Sequence, residues 1–257
     1  MKNKGLIIFL ICILTIISIL VTLFFVKLLN GNFNIAIFKS VSDTIIEEKE
    51  FENIYDEVIL SSKNSDIELI KTDLDNIKIV IYGSKKDKIE YNETNKLDIN
   101  FIQETCKFFC INNKRGKVLL YIPINYNKNI IIKTDVGDVK VDDFINLNIN
   151  ITTNVGDVNI ESINEAVINT DVGKVNISKV NSKVDIETNV GDVRIEDLNI
   201  TKNSKIYTDI GDITIKSIND VNINYKNDIG DKNVNKNNKD SMINLMLETD
   251  IGDIEVE

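Results

Sequence analysis

A glycine that recurs seven times constrains the fold of this chain more than any other feature of its sequence. It stands in the segments TDVGDVKV, TNVGDVNI, TDVGKVNI, TNVGDVRI, TDIGDITI, NDIGDKNV and TDIGDIEV. The glycines are Gly137, Gly156, Gly173, Gly191, Gly211, Gly230 and Gly252, at steps of 19, 17, 18, 20, 19 and 22 residues. A period of this length is typical of solenoids, in which each unit buries its apolar side by stacking on its neighbours.

The apolar residues around each glycine alternate as they do in β-strands. In the first unit they are Ile130, Ile132 and Val136 before the glycine, and Val139 and Val141 after it. Counted from the glycine, these are positions −7, −5, −1, +2 and +4, and the other units largely repeat them (Tyr225 stands at −5 of the sixth). A period of two predicts that −7, −5 and −1 all point inward. Because +2 has the opposite parity, the chain must turn or bulge at the Gly-Asp pair.

The glycine corner has a plain chemical explanation. Glycine supplies backbone with φ > 0, and an adjoining aspartate can cap backbone N–H groups. A further apolar position at +7, such as Phe144, predicts a second corner in each unit. We therefore predict an all-β fold, a β-helix-like repeat β-solenoid of about 19-residue units. Threonines at position −3, such as Thr188, should pack and hydrogen-bond along the stack.

Two regions depart from the regular repeat. Upstream, residues 61–69 resemble a unit with Ser65 in the place of the glycine. Alternating strands are predicted at Ile77–Tyr82, Leu97–Ile102 and Val118–Ile122. Pro123 should end the last of these strands. In the sixth unit Lys232 occupies an apolar position, so residues 232–239 are predicted to leave the stack as a polar loop.

Acidic residues fill two positions beside the repeated glycine. Position −2 is Asp or Asn, and position +1 is Asp in every unit except the third, which has Lys174. One hypothesis is that the stacked carboxylates bind Ca²⁺, which takes oxygen ligands. The candidate ligands are Asp135, Asp138, Asp157, Asp192, Asp209, Asp212, Asp250 and Asp253. The alternative, which we favour, is that Asp and Asn cap the corner backbone, so that no metal or other cofactor is expected.

Residues 6–26 form an apolar run without a charged residue, LIIFLICILTIISILVTLFFV. As a helix this run is long enough to cross the hydrocarbon layer of a bilayer. It is longer than the apolar part of a cleaved signal peptide and does not end in a small-residue cleavage site. The sequence therefore predicts one uncleaved transmembrane α-helix.

The charges around the apolar run predict its orientation. Lys2 and Lys4 precede the run and only Lys27 follows it closely, so the N-terminus should be cytoplasmic. The predicted domains are a cytoplasmic N-terminus over 1–5, a transmembrane helix over 6–26, a tether over 27–50 and an extracytoplasmic β-solenoid over 51–257. The expected location is the cell membrane, with the C-terminal domain outside the cell.

Cys106 and Cys110 lie in the predicted outer domain as CKFFC. Outside the cell a disulfide is chemically permitted. In an extended strand the two Cα atoms would be ~13 Å apart, so pairing requires a turn or a helical loop. Two reduced or buried thiols are the alternative. A C-x₃-C segment in a chain without histidine is not a metal site.

Composition excludes several classes of function. The chain has no histidine, which rules out Ser-His and Cys-His nucleophile pairs and an imidazole base. A net charge of −10 argues against binding to nucleic acid. The repeated acids are equivalent, and no phosphate loop or nucleophile motif is present. We therefore expect neither an enzyme nor a site for a small-molecule substrate.

One further feature is a resemblance to a known family. The run LLYIP over 119–123, followed by IIIKTDVGDV over 130–139, resembles the signature of the bacterial putative-adhesin family of unknown function. Residues 48–51 and 64–69 resemble the start of the same domain, a toastrack-type β-solenoid. The resemblance implies a membrane-tethered ectodomain of a bacterial envelope, sometimes linked to envelope-stress sensing, without agreed catalytic residues. Lys174 and Lys232 depart from the family's pattern.

Together these features favour a non-catalytic, membrane-anchored surface module, either adhesin-like or an envelope structural domain. Its expected partners are the membrane and an unidentified envelope or surface protein. One alternative is a sensory or regulatory ectodomain for envelope stress, whose acidic face attracts cationic peptides. Such a sensor would need a partner protein, because the predicted cytoplasmic segment is only residues 1–5. A Ca²⁺-binding solenoid is the other alternative.

Overall fold

A computed structural model describes residues 42–53, 55–103 and 115–257, which form seventeen β-strands. The strands are β1 Ile45–Phe51, β2 Glu57–Thr72, β3 Ile77–Tyr82, β4 Lys88–Glu93, β5 Lys96–Ile102, β6 Gly116–Pro123, β7 Asn129–Val136, β8 Val139–Val155, β9 Val158–Val172, β10 Val175–Val190, β11 Val193–Leu198, β12 Ser204–Ile210, β13 Ile213–Ile215, β14 Asn222–Ile229, β15 Lys232–Val234, β16 Asn244–Ile251 and β17 Ile254–Val256. In these ranges no helix is long and apolar enough to cross a membrane. The predicted membrane segment, residues 6–26, and the two cysteines of CKFFC lie outside the described residues.

Parallel pairing stacks the repeats into a β-solenoid, as predicted. Each rung contains two strand segments joined by the glycine corner. In stack order the rungs are β2; β7 with 139–144; 148–155 with 158–163; 165–172 with 175–180; 183–190 with β11; β12 with β13; β16 with β17; and β14 with β15. Equivalent positions pair directly, as Thr134 does with Thr153. Each repeat position therefore becomes a column running along the stack.

The stack order departs from the chain order at the C-terminal end. Ile251 of the seventh unit pairs with Ile210 of the fifth on one side and with Ile229 of the sixth on the other. The sixth unit is therefore the outermost rung. Tyr225 was predicted to point inward, but it is 46% exposed because none of the described strands stacks on its outer side. The predicted polar loop also begins later, since residues 232–234 form β15.

The other end of the stack is covered by antiparallel strands. β5 and β6 run parallel to β2, while β4 pairs antiparallel with β5, and β3 pairs antiparallel with β6 and β1. The three predicted upstream strands are confirmed as β3, β5 and β6, and Pro123 is the last residue of β6. The predicted tether was too long at its end, because residues 45–50 belong to β1. These residues form a strand because they pair antiparallel with β3, and Lys78 Nζ of β3 lies 2.6 Å from Glu48 Oε1.

The core lies between the two strand segments of each rung. The side chains at −7, −5, +2, +4 and +7 point inward in most rungs, as Ile168, Val175 and Val180 do with no exposed surface. Ser65 is also fully buried, and it stands in register with the glycines. Burial of branched aliphatic side chains along every rung supplies most of the stabilisation.

Candidate functional site

The glycine corner brings successive rungs unusually close together. A Cβ atom built on Gly156 would lie 2.0 Å from the carbonyl oxygen of Gly137, and every other glycine of the column meets the preceding rung at 1.9–2.1 Å. No side chain fits at that distance. Positive φ, which the sequence predicted, occurs at five of the seven glycines, for example 135° at Gly230. Close approach of the backbone is therefore the requirement that all seven share.

The aspartates at position +1 cap this corner, as the capping hypothesis predicted. The Oδ1 atom of Asp138 accepts the backbone N–H of Asp157 at 3.0 Å, and Asp157 Oδ1 accepts the N–H of Lys174 at 2.8 Å. Further along the stack, Asp192, Asp212 and Asp253 each accept the N–H of the following rung. Each carboxylate therefore satisfies a backbone donor at the corner of its neighbour.

Lys174 interrupts the +1 column with a compensating charge. Its ammonium donates to Asp192 Oδ2 at 2.9 Å, which lowers the pKa of Asp192 and raises the pKa of Lys174. At the N-terminal end of the column, burial raises the pKa of Asp66, although Arg115 Nη1 lies 3.0 Å from Asp66 Oδ1. The carboxylates of the +1 column therefore differ from one another in their electrostatic surroundings.

Position −1 differs from the sequence prediction. Its side chains were predicted to point inward, but all seven are exposed: Val136 39%, Val155 48%, Val172 47%, Val190 44%, Ile210 48%, Ile229 65% and Ile251 47%. The prediction made −1 the last position before the corner whose side chain points inward. In the structure that position is −3, the threonine, so the alternation of inward and outward side chains breaks two residues earlier than predicted. Thr188, for example, is fully buried. We call these seven side chains the corner ridge.

The corner ridge runs between two acidic columns. On one side lies position −2, with Asp135, Asp171, Asp209, Asp228, Asp250 and two asparagines. On the other lies position +1, with Asp138, Asp157, Asp192, Asp212, Asp231, Asp253 and Lys174. All of these side chains are exposed or partly exposed. The surface is therefore an apolar strip with carboxylates along both edges.

The structure separates the eight candidate Ca²⁺ ligands between these two columns. Asp138, Asp157, Asp192, Asp212 and Asp253 are the backbone caps, while Asp135, Asp209 and Asp250 lie on the opposite side of the ridge. Within the three described ranges, no three His, Cys, Asp or Glu residues come close enough to hold a metal ion. One oxygen of each of the five caps is already engaged by a backbone N–H, so the corner is arranged for capping.

The outer face of the solenoid carries two shallow depressions. One, of about 380 Å³, is lined by residues that include Ser62, Lys63, Lys133 and Asp135. The other, of about 330 Å³, lies between Asn169, Glu187 and Tyr207. Both are lined by residues of neighbouring rungs. The second is also lined by Asp185 and Lys205.

Sequence reasoning missed the corner ridge, although a signal was present. Positions −3 and +2 are both inward, and five steps separate them, so strict alternation cannot hold between them. The residue at −1 also stands between polar residues at −2 and +1 with only the glycine intervening, as Val155 does between Asn154 and Asp157. Such a cluster of outward residues is typical of a corner.

These features define a parallel β-solenoid whose rungs meet at capped glycine corners. Residues 55–257 match the sequence profile described as Toastrack DUF4097, so the chain belongs to the Toastrack family. This confirms the resemblance identified from the repeat. No functionally curated protein matches the chain.

Several solved structures are similar to this chain at low identity. A putative adhesin from Bacteroides fragilis is 15% identical, with 83% of this chain and 97% of that chain covered and a TM-score of 0.45. A putative cell adhesion protein from Clostridium sporogenes is 17% identical, with 82% and 98% covered and a TM-score of 0.42. A putative lipid binding protein from Parabacteroides distasonis is 15% identical, with 85% and 100% covered and a TM-score of 0.40.

Proposed function

We propose that this protein is a non-catalytic, membrane-anchored module whose β-solenoid lies outside the cell and binds a partner protein through the corner ridge. The observation that carries this proposal is the exposure of seven aliphatic side chains in one column, between 39% and 65% each. A continuous apolar strip of this kind, on the order of a few hundred Å², is typical of an interaction surface.

The fold itself accounts for only part of this column. Neighbouring ridge side chains pack along the stack, which explains why Ile229, in the last rung, is the most exposed at 65%. The remaining surface of each side chain faces solvent. Threonine would fill the same strand position with similar volume and a polar atom. Retention of Val or Ile in all seven units therefore favours binding over a purely structural role.

Absence of catalysis is part of the proposal. The acids at +1 recur from rung to rung, and five of them accept a backbone N–H of the next rung, so capping and not proton transfer is the role they share. The lowered pKa of Asp192 comes from a surface lysine, Lys174. Such a pair stabilises the ionised form and does not prepare a proton donor.

Membrane anchoring rests on the apolar run over 6–26. The test is fractionation of cells that express the full chain with a C-terminal epitope tag, followed by protease treatment of intact cells. We expect the tag in the membrane fraction and its loss on protease treatment. Recovery in the released fraction, or protection of the tag in intact cells, would contradict the proposed anchoring and orientation.

The partner surface is tested by photo-crosslinking in the same cells. A photoreactive amino acid at Val172 or Ile210, both in the ridge, should give a discrete crosslinked species. The same amino acid at Ile145, which is 52% exposed at the second corner, is the matched control. Equal crosslinking from both corners would remove the support for the ridge as the binding surface.

A further inference from the structure

We infer that the corner ridge binds a basic amphipathic α-helix of a partner protein. This inference rests on the proposed function and names the chemistry of the partner. Three observations carry it, namely the length of the ridge, its apolar chemistry and the charge along its two edges. Each of them restricts the kind of segment that can cover the ridge.

The length of the ridge matches a helix of ordinary size. The seven side chains occupy consecutive rungs, with direct pairing from Val136 through Ile210 and Ile251 to Ile229. At ~4.8 Å per rung the column is about 29 Å long. An α-helix of about 20 residues has the same length, and its turns repeat every ~5.4 Å. An apolar helical stripe can therefore contact the ridge along its whole length.

The charge along the ridge selects a basic partner. The two flanking columns contain eleven aspartates and one lysine, and Lys174 is already paired with Asp192. A helix with lysine or arginine on both sides of its apolar stripe would place each basic row beside one acidic column. A second copy of this chain would instead place acidic columns against each other. An anionic lipid surface is disfavoured for the same reason.

The two acidic columns differ in the hydrogen-bond acceptors that they present to a basic side chain. At +1, one carboxylate oxygen is engaged by the next rung, as Asp212 Oδ1 is by Asp253 N–H at 2.8 Å. The second oxygen of such a carboxylate can still accept from lysine or arginine, as Asp192 Oδ2 does from Lys174 at 2.9 Å. At −2, Asn154 and Asn189 alternate with aspartates, so the fold tolerates an amide there. Position −2 is therefore where the charge can be removed without disturbing the corner.

The test measures binding of a synthetic helix of about 20 lysines and leucines, with leucines at i, i+3 and i+4 spacing. The full chain is held in phosphatidylcholine nanodiscs, and empty nanodiscs are the control for binding to lipid. A scrambled peptide of the same composition controls for charge alone. We expect saturable binding of the amphipathic peptide that weakens as salt rises.

The ridge variant is Val155→Thr, Val172→Thr and Val190→Thr, which keeps β-branching and volume. Its matched control is Leu74→Thr, Ile124→Thr and Ile145→Thr, three aliphatic side chains with exposures of 47%, 48% and 52% that lie away from the glycine corner. We expect the ridge variant to weaken peptide binding by about tenfold or more, and the control to leave it unchanged. Circular dichroism and thermal unfolding check that both variants are folded.

The acidic variant is Asp171→Asn, Asp209→Asn and Asp250→Asn. It should weaken binding at low salt and flatten the salt dependence, with little change at high salt. Equal affinities of the ridge variant and its control would overturn the inference. So would ridge-dependent dimerisation of the chain, or ridge-dependent binding to anionic vesicles, in place of peptide binding. These results are independent of cell fractionation, so a failure of anchoring and a failure of the helix site are distinguishable.

Discussion

The Oδ1 atom of Asp212 accepts the backbone N–H of Asp253 at 2.8 Å, although 41 residues separate them in sequence. In a stack built in chain order, the donor at this place would be Asp231. Asp231 instead donates its N–H to Asp253 Oδ1, one rung further out. The seventh unit therefore lies between the fifth and the sixth units in the stack. The chain forms the outermost rung first and the rung inside it afterwards.

This inserted rung predicts a specific disulfide. Tyr207 and Glu248 are direct partners across β12 and β16, whereas Lys226 is the partner of Glu248 on the other side. In a background with Cys12, Cys106 and Cys110 replaced by serine, Tyr207→Cys with Glu248→Cys should oxidise readily. Its Cα atoms are separated by one rung, ~4.8 Å, which suits a disulfide. Mass spectrometry of a non-reduced digest provides the measurement.

The matched control for the inserted rung is Tyr207→Cys with Lys226→Cys. These positions lie two rungs apart, about 10 Å, which is too far for a disulfide. They would be neighbours if the units stacked in chain order. Efficient oxidation of the control pair without oxidation of the first pair would show that the rungs follow the sequence.

Gly156→Ala tests the close approach of rungs at the corner. The new methyl group would lie 2.0 Å from the Gly137 carbonyl oxygen, so the rungs must separate locally. We expect a loss of at least about 2 kcal/mol in the free energy of unfolding, measured with urea. Asn189→Ala, at the exposed position −2 of a rung further along the stack, should change it by less than about 0.5 kcal/mol. Equal losses would mean that the column does not require glycine for space.

The two perturbed carboxylates of the +1 column should depend on pH in opposite ways. The pKa of Asp192 is lowered by Lys174, so its stabilising contribution is present above the unfolded value of about 3.9 and is lost as pH falls through the folded value. Burial raises the pKa of Asp66, so ionisation of Asp66 opposes folding, and this opposition is relieved as pH falls. Carbon-detected NMR titration of both carboxyl groups gives the two pKa values directly.

Lys174→Gln separates these contributions. It should return the pKa of Asp192 towards its ordinary range, because the hydrogen bond from the ammonium is the main cause of the shift. The pKa of Asp66 should stay raised, since its main cause is burial. A lowered pKa of Asp192 in the variant would show that backbone capping, and not Lys174, dominates this site.

The repeat made the solenoid, its capped corner and most of the core predictable from sequence, because one position pattern recurs in every unit. Two features could not be derived from that pattern. Exposure of Val190 follows from the path of the backbone at the corner, where the residues from −2 to +1 all lie on the outside. A period of two assumes a straight strand there and therefore predicts that Val190 points inward. The pairing of Ile210 with Ile251 follows from long-range stacking, since all units carry equivalent interfaces and local sequence does not distinguish their order.

Thr188 and Thr208 occupy the same buried column, yet of these two hydroxyl groups only that of Thr208 has a hydrogen-bond partner among the described residues. Thr208 Oγ1 donates to the Gly191 carbonyl oxygen at 3.1 Å, whereas Thr188 Oγ1 is buried without a hydrogen-bond partner among the residues described. Thr208→Val should therefore lower the free energy of unfolding by about 1 kcal/mol. Thr188→Val, which removes an unsatisfied polar atom, should be neutral or stabilising.

Urea unfolding of the two valine variants gives this comparison with nearly constant shape, since valine replaces threonine at similar volume. The predicted sign differs between neighbouring rungs of one column, so a general effect of threonine on strand stability cannot account for it. Equal destabilisation by both substitutions would show that Thr188 Oγ1 also makes a hydrogen bond in solution. Thr188 would then be hydrogen-bonded along the stack as Thr208 is, which is what the sequence alone suggested for the threonine column.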